Sequence, residues 1–131
     1  MKLTDLKAWP WEWMVTLTFR SPVSNATARM MLLDWSRSVA KQEHLQIAYI
    51  GVLNYRTRSH LHLLALGRNR HGLSLKSADI PGCQKLWKGG LADIQSIYDL
   101  HGACAYFICN MPFLNNDTLY YNNKLLSKTQ Y

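Results

Sequence analysis

Arg58-Ser59-His60-Leu61-His62-Leu63-Leu64-Ala65-Leu66 sets two histidines either side of one leucine inside an otherwise apolar run. In an extended strand successive side chains alternate between faces, so His60 and His62 emerge side by side while Leu61 turns into a core. Two imidazoles on one face have two readings. Neutral imidazole is a common ligand of divalent metals, so the pair can meet one ion. A hydrogen-bonded pair on a solvent-facing strand satisfies the same polar groups without a metal. Triplets of this kind arise often by chance, so the surrounding chain carries the decision.

Immediately upstream, Gln46 to Tyr55 is an extended apolar run with Ile47, Tyr49, Ile50, Val52 and Leu53, the pattern of a strand buried on both faces. Arg56-Thr57-Arg58 makes a short polar connection, so the two strands form a hairpin that carries the histidines. Further out, Trp13-Met14-Val15-Thr16-Leu17-Thr18-Phe19 alternates and is rich in β-branched and aromatic residues, which predicts a first strand ended by Arg20-Ser21-Pro22. Ser24 and Asn25 cap a helix running to about Glu43, with Ala28, Met31, Trp35 and Val39 as its apolar stripe. Beyond the histidine strand, Gly67 to Gly72 is a basic loop, and the stretch to Gly82 reads as irregular with a helical turn. Cys83 to Lys88 reads as a short helix ended by Gly89-Gly90, Leu91 to Tyr98 as a fourth strand, and Gly102 to Asn110 as a helix capped by Asp99 and closed by Pro112. From Asn115 onward the chain is polar and rich in Asn, a terminal helix or a tail.

The order strand, helix, strand, strand, helix, strand, helix predicts an α+β sandwich: a central antiparallel sheet with helices packed mainly on one face and the other face left for a site. No repeat or linker divides the chain, so residues 1–131 are expected to form one domain.

With 48% hydrophobic and 18% charged residues, the composition argues for a folded globule over a disordered tail. Fifteen Lys and Arg against eight Asp and Glu give a net charge of +7, which favours an anionic partner, most simply a nucleic acid. Arg56, Arg58, Arg68 and Arg70 lie on the two loops flanking the histidine strand, where phosphate contacts would position a polynucleotide without reading its sequence. Trp9, Trp11 and Trp13 alternate near the start and either stack on bases or cover a core. Cys83, Cys104 and Cys109 lack the paired spacing of a zinc or redox motif and read as core residues in a reducing compartment. No run approaches membrane-spanning length and no cleavable leader pattern is present, so a cytoplasmic protein without a membrane partner is expected.

From Trp13 to Asn110 the chain resembles a replication-initiator endonuclease of the histidine-hydrophobic-histidine (HUH) superfamily, the branch used by small single-stranded DNA phages and rolling-circle plasmids. The likeness rests on Val15-Thr16-Leu17-Thr18-Phe19 as leading strand and on a hairpin entering the histidines through Arg58-Ser59. It continues with Trp87 and Gly90 before a late strand, and with Tyr106 in the helical setting Ala103-Cys104-Ala105-Tyr106. The resemblance implies a ferredoxin-like fold and a divalent ion, manganese or magnesium, held by His60, His62 and a third polar ligand. It implies Tyr106 as the nucleophile toward single-stranded DNA, with a host helicase or polymerase supplying unwinding and synthesis. It leaves the oligomeric state open.

Two positions depart from that pattern. Where the family carries an acidic ligand on the strand before the histidines this chain has Asn54, and where a lysine follows the tyrosine by three residues it has Cys109. Both point toward weakened turnover, so a nucleic-acid-binding protein that kept the fold and lost catalysis is an alternative, as is a single-tyrosine transposase. Tyr121 with Lys124 matches the tyrosine-lysine spacing and ranks below Tyr106. Glu43, Asp93 and Asp99 are the carboxylates available as a charged ligand, while His44, His71 and His101 read as surface residues.

Overall fold

The computed structural model describes residues 3–54, 59–109 and 119–122. Its elements in chain order are α1 (Leu3–Lys7), β1 (Trp13–Thr18), α2 (Asn25–Glu43), β2 (Gln46–Asn54), β3 (His60–Arg68), a 3-10 turn (Leu75–Ser77), α3 (Ile80–Lys85), β4 (Ala92–Ser96), α4 (Leu100–Cys109) and β5 (Leu119–Asn122). The strands form one antiparallel sheet in the order β4-β1-β3-β2-β5, an α+β fold with β3 at its centre.

Local chemistry sets the helix ends. Ser24 stands in extended backbone and its hydroxyl accepts the Thr27 N–H at 3.1 Å, satisfying a donor that the first turn of α2 leaves open. Ala28, Leu32, Trp35 and Val39 then bury one stripe, and the helix stops at His44, whose left-handed backbone (φ 57°) returns its N–H to the Ala40 carbonyl. α3 begins at Ile80, three residues before the expected Cys83, because the Asp79 carboxylate accepts from Gly82 N at 3.0 Å and Pro81 fits the first turn. Asp99 caps α4 as expected, accepting from Gly102 N at 3.0 Å.

Helices cover both faces of the sheet, which corrects the expectation that they pack mainly on one. On the first face Val15, Leu17, Ile47, Leu61 and Leu63 pack against Leu32, Trp35 and Val39 of α2 and Cys83 of α3. On the second, Ile50, Val52, Leu64 and Leu66 pack against Ala103, Cys104 and Phe107 of α4, with Leu6 of α1 and Trp11. The physical reason lies in β2 and β3, which are apolar at odd and even positions alike. Leaving the second set bare would forgo about 1.5–3 kcal/mol per large side chain, and over four residues that approaches the whole stability of a domain.

The C-terminal expectation is corrected in part. Residues 119–122 form β5, paired with β2 from Val52↔Leu119 to Tyr49↔Asn122, not a helix or tail; the rest of 115–131 lies outside the described residues. An unpaired edge on a strand as apolar as β2 is a template for aggregation, and β5 covers it. No helix among the described residues is long and apolar enough to cross a membrane.

Candidate functional site

His60 and His62 open β3, and the sheet register fixes their neighbours. His60 lies between Thr18 of β1 and Asn54 of β2, and His62 between Thr16 and Val52. Directly paired residues share a face, so Thr16, Thr18, Asn54 and both histidines form one polar patch at the end of the second face, where the apolar rows of Leu64 and Leu66 give out. The two Nε2 atoms are 3.0 Å apart, with the rings edge to face at 90° and centroids 4.6 Å apart. His62 Nδ1 lies 3.4 Å from Thr16 Oγ1. Burial, followed by the charge of His60, holds His62 well below its ordinary value, at about 4. It is therefore neutral at physiological pH, the form that ligates metals.

α4 brings Tyr106 to the same patch. Ala103, Cys104 and Phe107 turn into the second core, and Tyr106, on the flank of that stripe, is 52% exposed. Its ring stands 6.3 Å from that of His62, centroid to centroid, at 88°. Beside the patch, Thr18, Phe19, Arg20, Gly90 and Leu91 line a shallow pocket of about 100 Å³.

The separation of the two imidazoles matches that of two ligands sharing one divalent ion. Bonds of about 2.1 Å to two adjacent corners of an octahedron place the donor atoms about 3.0 Å apart, and the two Nε2 atoms are separated by 3.0 Å. Asn54 is paired opposite His60 on the same face and carries an amide oxygen, a donor without charge. Among the described residues no cluster of three His, Cys, Asp or Glu side chains could hold a metal, so the set carries no charged ligand. Asp93 stands in the row of His62 but one strand beyond it, opposite Thr16, and its Oδ2 accepts from Gln95 at 3.1 Å. Glu43 belongs to the α2–α3 contact, where it meets Cys83 Sγ at 3.7 Å, and Asp99 is occupied as the α4 cap.

The structure does not bring all the expected residues to this patch. Arg68 ends β3, eight positions from His60 and so roughly 26 Å away along the strand. Its guanidinium donates at 2.7 Å to the buried Glu12, whose Oε1 also accepts from Gly67 N at 3.0 Å and Leu75 N at 3.3 Å. Arg70 lies in the turn beyond. Both border a cleft of about 530 Å³ with His44 and Gln46, at the opposite end of the sheet from the histidines. Arg56, Arg58 and Lys124 lie outside the described residues, and Tyr121 takes the β5 position opposite Ile50. Trp11 and Trp13 are buried, so they cover core and are closed to base stacking. Cys83 and Cys104 are core residues, with burial pushing the Cys83 thiol up to about 12, but Cys109 is exposed at the end of α4. His44, His71 and His101 are exposed. Thr16 and Thr18 are the members of the patch that sequence reading missed, and Thr16 is the one that meets a histidine ring. Alternation alone puts it on the polar side of β1, but its contact with His62 depends on which strand lies beside β3.

Comparison with known proteins finds no relative: no family model, no curated protein and no solved structure matches this chain.

Proposed function

We propose that this chain is a metal-dependent enzyme that nicks and rejoins single-stranded DNA, of the replication-initiator HUH type and acting inside a host cell. The strand order β4-β1-β3-β2, with a helix between β1 and β2 and a hairpin from β2 to β3, supports a ferredoxin-like reading of the fold. One observation carries the functional reading: Tyr106 stands on the same side of the sheet as His60 and His62, against the ring of His62.

His60, His62 and Asn54 would hold the ion. When bound, manganese or magnesium supplies Lewis-acid polarisation of the scissile phosphate and neutralises charge developing on it. The Tyr106 oxygen attacks phosphorus, the bond from phosphorus to the 3′ oxygen breaks, and the net transfer carries the phenolic proton to the released 3′ hydroxyl. The 5′ phosphate stays on Tyr106 as a phosphodiester, so the reverse attack by a 3′ hydroxyl rejoins the strand. Tyr106 is about half exposed, which leaves room for a chain to approach.

Asn54 and Cys109 favour a second reading, a binding protein of this fold without turnover, because neither supplies the charge expected at its position. Incubation with a labelled, randomised pool of single-stranded oligonucleotides and manganese separates the two. A protein–DNA band that survives denaturation, and is lost in Tyr106→Phe, supports the enzyme. Binding with no such band, unchanged in His60→Ala, supports the binding protein.

A further inference from the structure

His62 makes one contact through each ring nitrogen: Nδ1 lies 3.4 Å from Thr16 Oγ1, and Nε2 lies 3.0 Å from His60 Nε2. A neutral imidazole has one N–H and one lone pair, so the sense of either contact fixes that of the other. If Nδ1 donates to the threonine oxygen, Nε2 presents its lone pair toward His60. If the threonine hydroxyl donates instead, Nε2 carries the proton and has nothing to offer a cation.

The position of Thr16 favours the first arrangement. Across the β1–β4 pair Thr16 faces Asp93, on the side away from His62. Asp93 Oδ2 is held by Gln95, so the carboxylate acts on Thr16 through its charge alone, which favours a hydroxyl dipole with its hydrogen toward Asp93 and its oxygen toward the imidazole. The threonine side chain is also stiff at χ1, and β1 is paired on both sides, so the acceptor sits on rigid backbone.

We propose that Thr16 is a positioning residue that holds His62 as its Nδ1–H tautomer, so that Nε2 faces a divalent cation shared with His60. The inference rests on the metal half of the reading above and not on the chemistry of Tyr106. It makes the two histidines unequal. With that tautomer His60 Nε2 donates to His62 Nε2 in the metal-free protein, so His60 must turn or shift that proton to its Nδ1 when the ion arrives, whereas His62 needs no rearrangement.

Two measurements on the full chain test this. Long-range proton–nitrogen spectra of metal-free, nitrogen-labelled protein near neutral pH are expected to show His62 protonated on Nδ1 and bare on Nε2, with that preference weakened in Thr16→Val. Manganese titration followed by electron paramagnetic resonance is expected to show about 10–100-fold weaker binding in Thr16→Val, with Thr16→Ser within about threefold of wild type. A wild-type His62 that carries its proton on Nε2, or a Thr16→Val protein that binds manganese as tightly as wild type, overturns the proposal. A wild type with the Nδ1–H tautomer and no manganese binding at millimolar concentration supports the Thr16 contact and sinks the metal reading, so the two failures are told apart.

Discussion

The ring of Tyr106 stands edge-on to the ring of His62, with centroids 6.3 Å apart and planes at 88°. This is a favoured geometry for aromatic pairs, and it ties the position of α4 to the histidine end of β3. The proposed function gives the two residues separable roles. Tyr106→Phe keeps the ring and is expected to abolish the covalent DNA adduct while leaving manganese affinity unchanged. His62→Ala is expected to lower manganese affinity by at least about tenfold and to remove the adduct with it. Parallel gel and titration measurements on both variants check this; equal loss of metal affinity in the two would contradict it.

Acid should loosen the fold through His62. The imidazole titrates at about 4 in the folded chain against an ordinary 6.5, chiefly because it is desolvated. Between those values the unfolded chain binds more protons, so this contribution is complete above 6.5 and is lost as pH falls toward 4. Urea midpoints measured across the window should fall with pH in the wild type and fall less steeply in His62→Gln. Equal slopes would show that His62 is not the group responsible.

Arg68 is expected to act on stability, in contrast to its expected role in DNA binding. It pairs at 2.7 Å with Glu12, which is 3% exposed and whose Oε2 has no partner among the described residues. Removing the guanidinium leaves a buried carboxylate without its cation, a loss of about 3 kcal/mol. Arg68→Met should lower the urea midpoint accordingly while changing single-stranded DNA affinity by less than about twofold, because the site is a strand's length away. A large loss of affinity with intact stability would restore Arg68 to the DNA interface.

Gly90 lies directly against the backbone at the end of β1. A Cβ there would meet the Thr18 carbonyl oxygen and come within 3.2 Å of Arg20 N, both backbone atoms that cannot rotate away. Gly90→Ala is therefore expected to cost about 1–3 kcal/mol and, by moving Thr18 beside His60, to weaken manganese binding as well. Thermal unfolding and metal titration of the one variant read both effects. Wild-type stability would show that the loop adjusts without strain.

Much of this arrangement is written locally. α2 is legible because Ser24 caps it and its stripe recurs at helical spacing, and β2 and β3 are legible because their apolar runs are long and joined by a short polar connection. α1 is too short to show a periodic pattern, and in β5 two tyrosines that favour strand sit among asparagines that favour turns. Their existence follows from what they cover, the second core and the β2 edge, and that need is visible only after the sheet is assembled. The site divides in the same way. His60 and His62 declare a shared face by alternation, and Asn54 follows from the hairpin. Thr16 depends on β1 lying beside β3, and the duty of Arg68 depends on a glutamate 56 residues away. Neither relationship leaves a trace in local spacing.

Diffraction from crystals of the full chain soaked in manganese, recorded for anomalous scattering, separates an ion shared by His60 and His62 from a hydrogen-bonded pair of rings. One anomalous peak is expected within about 2.3 Å of both His60 Nε2 and His62 Nε2, with Asn54 as a third ligand and Tyr106 on the same side of the sheet. A peak elsewhere, or no peak with the two imidazoles still hydrogen-bonded to each other, would contradict the shared ion.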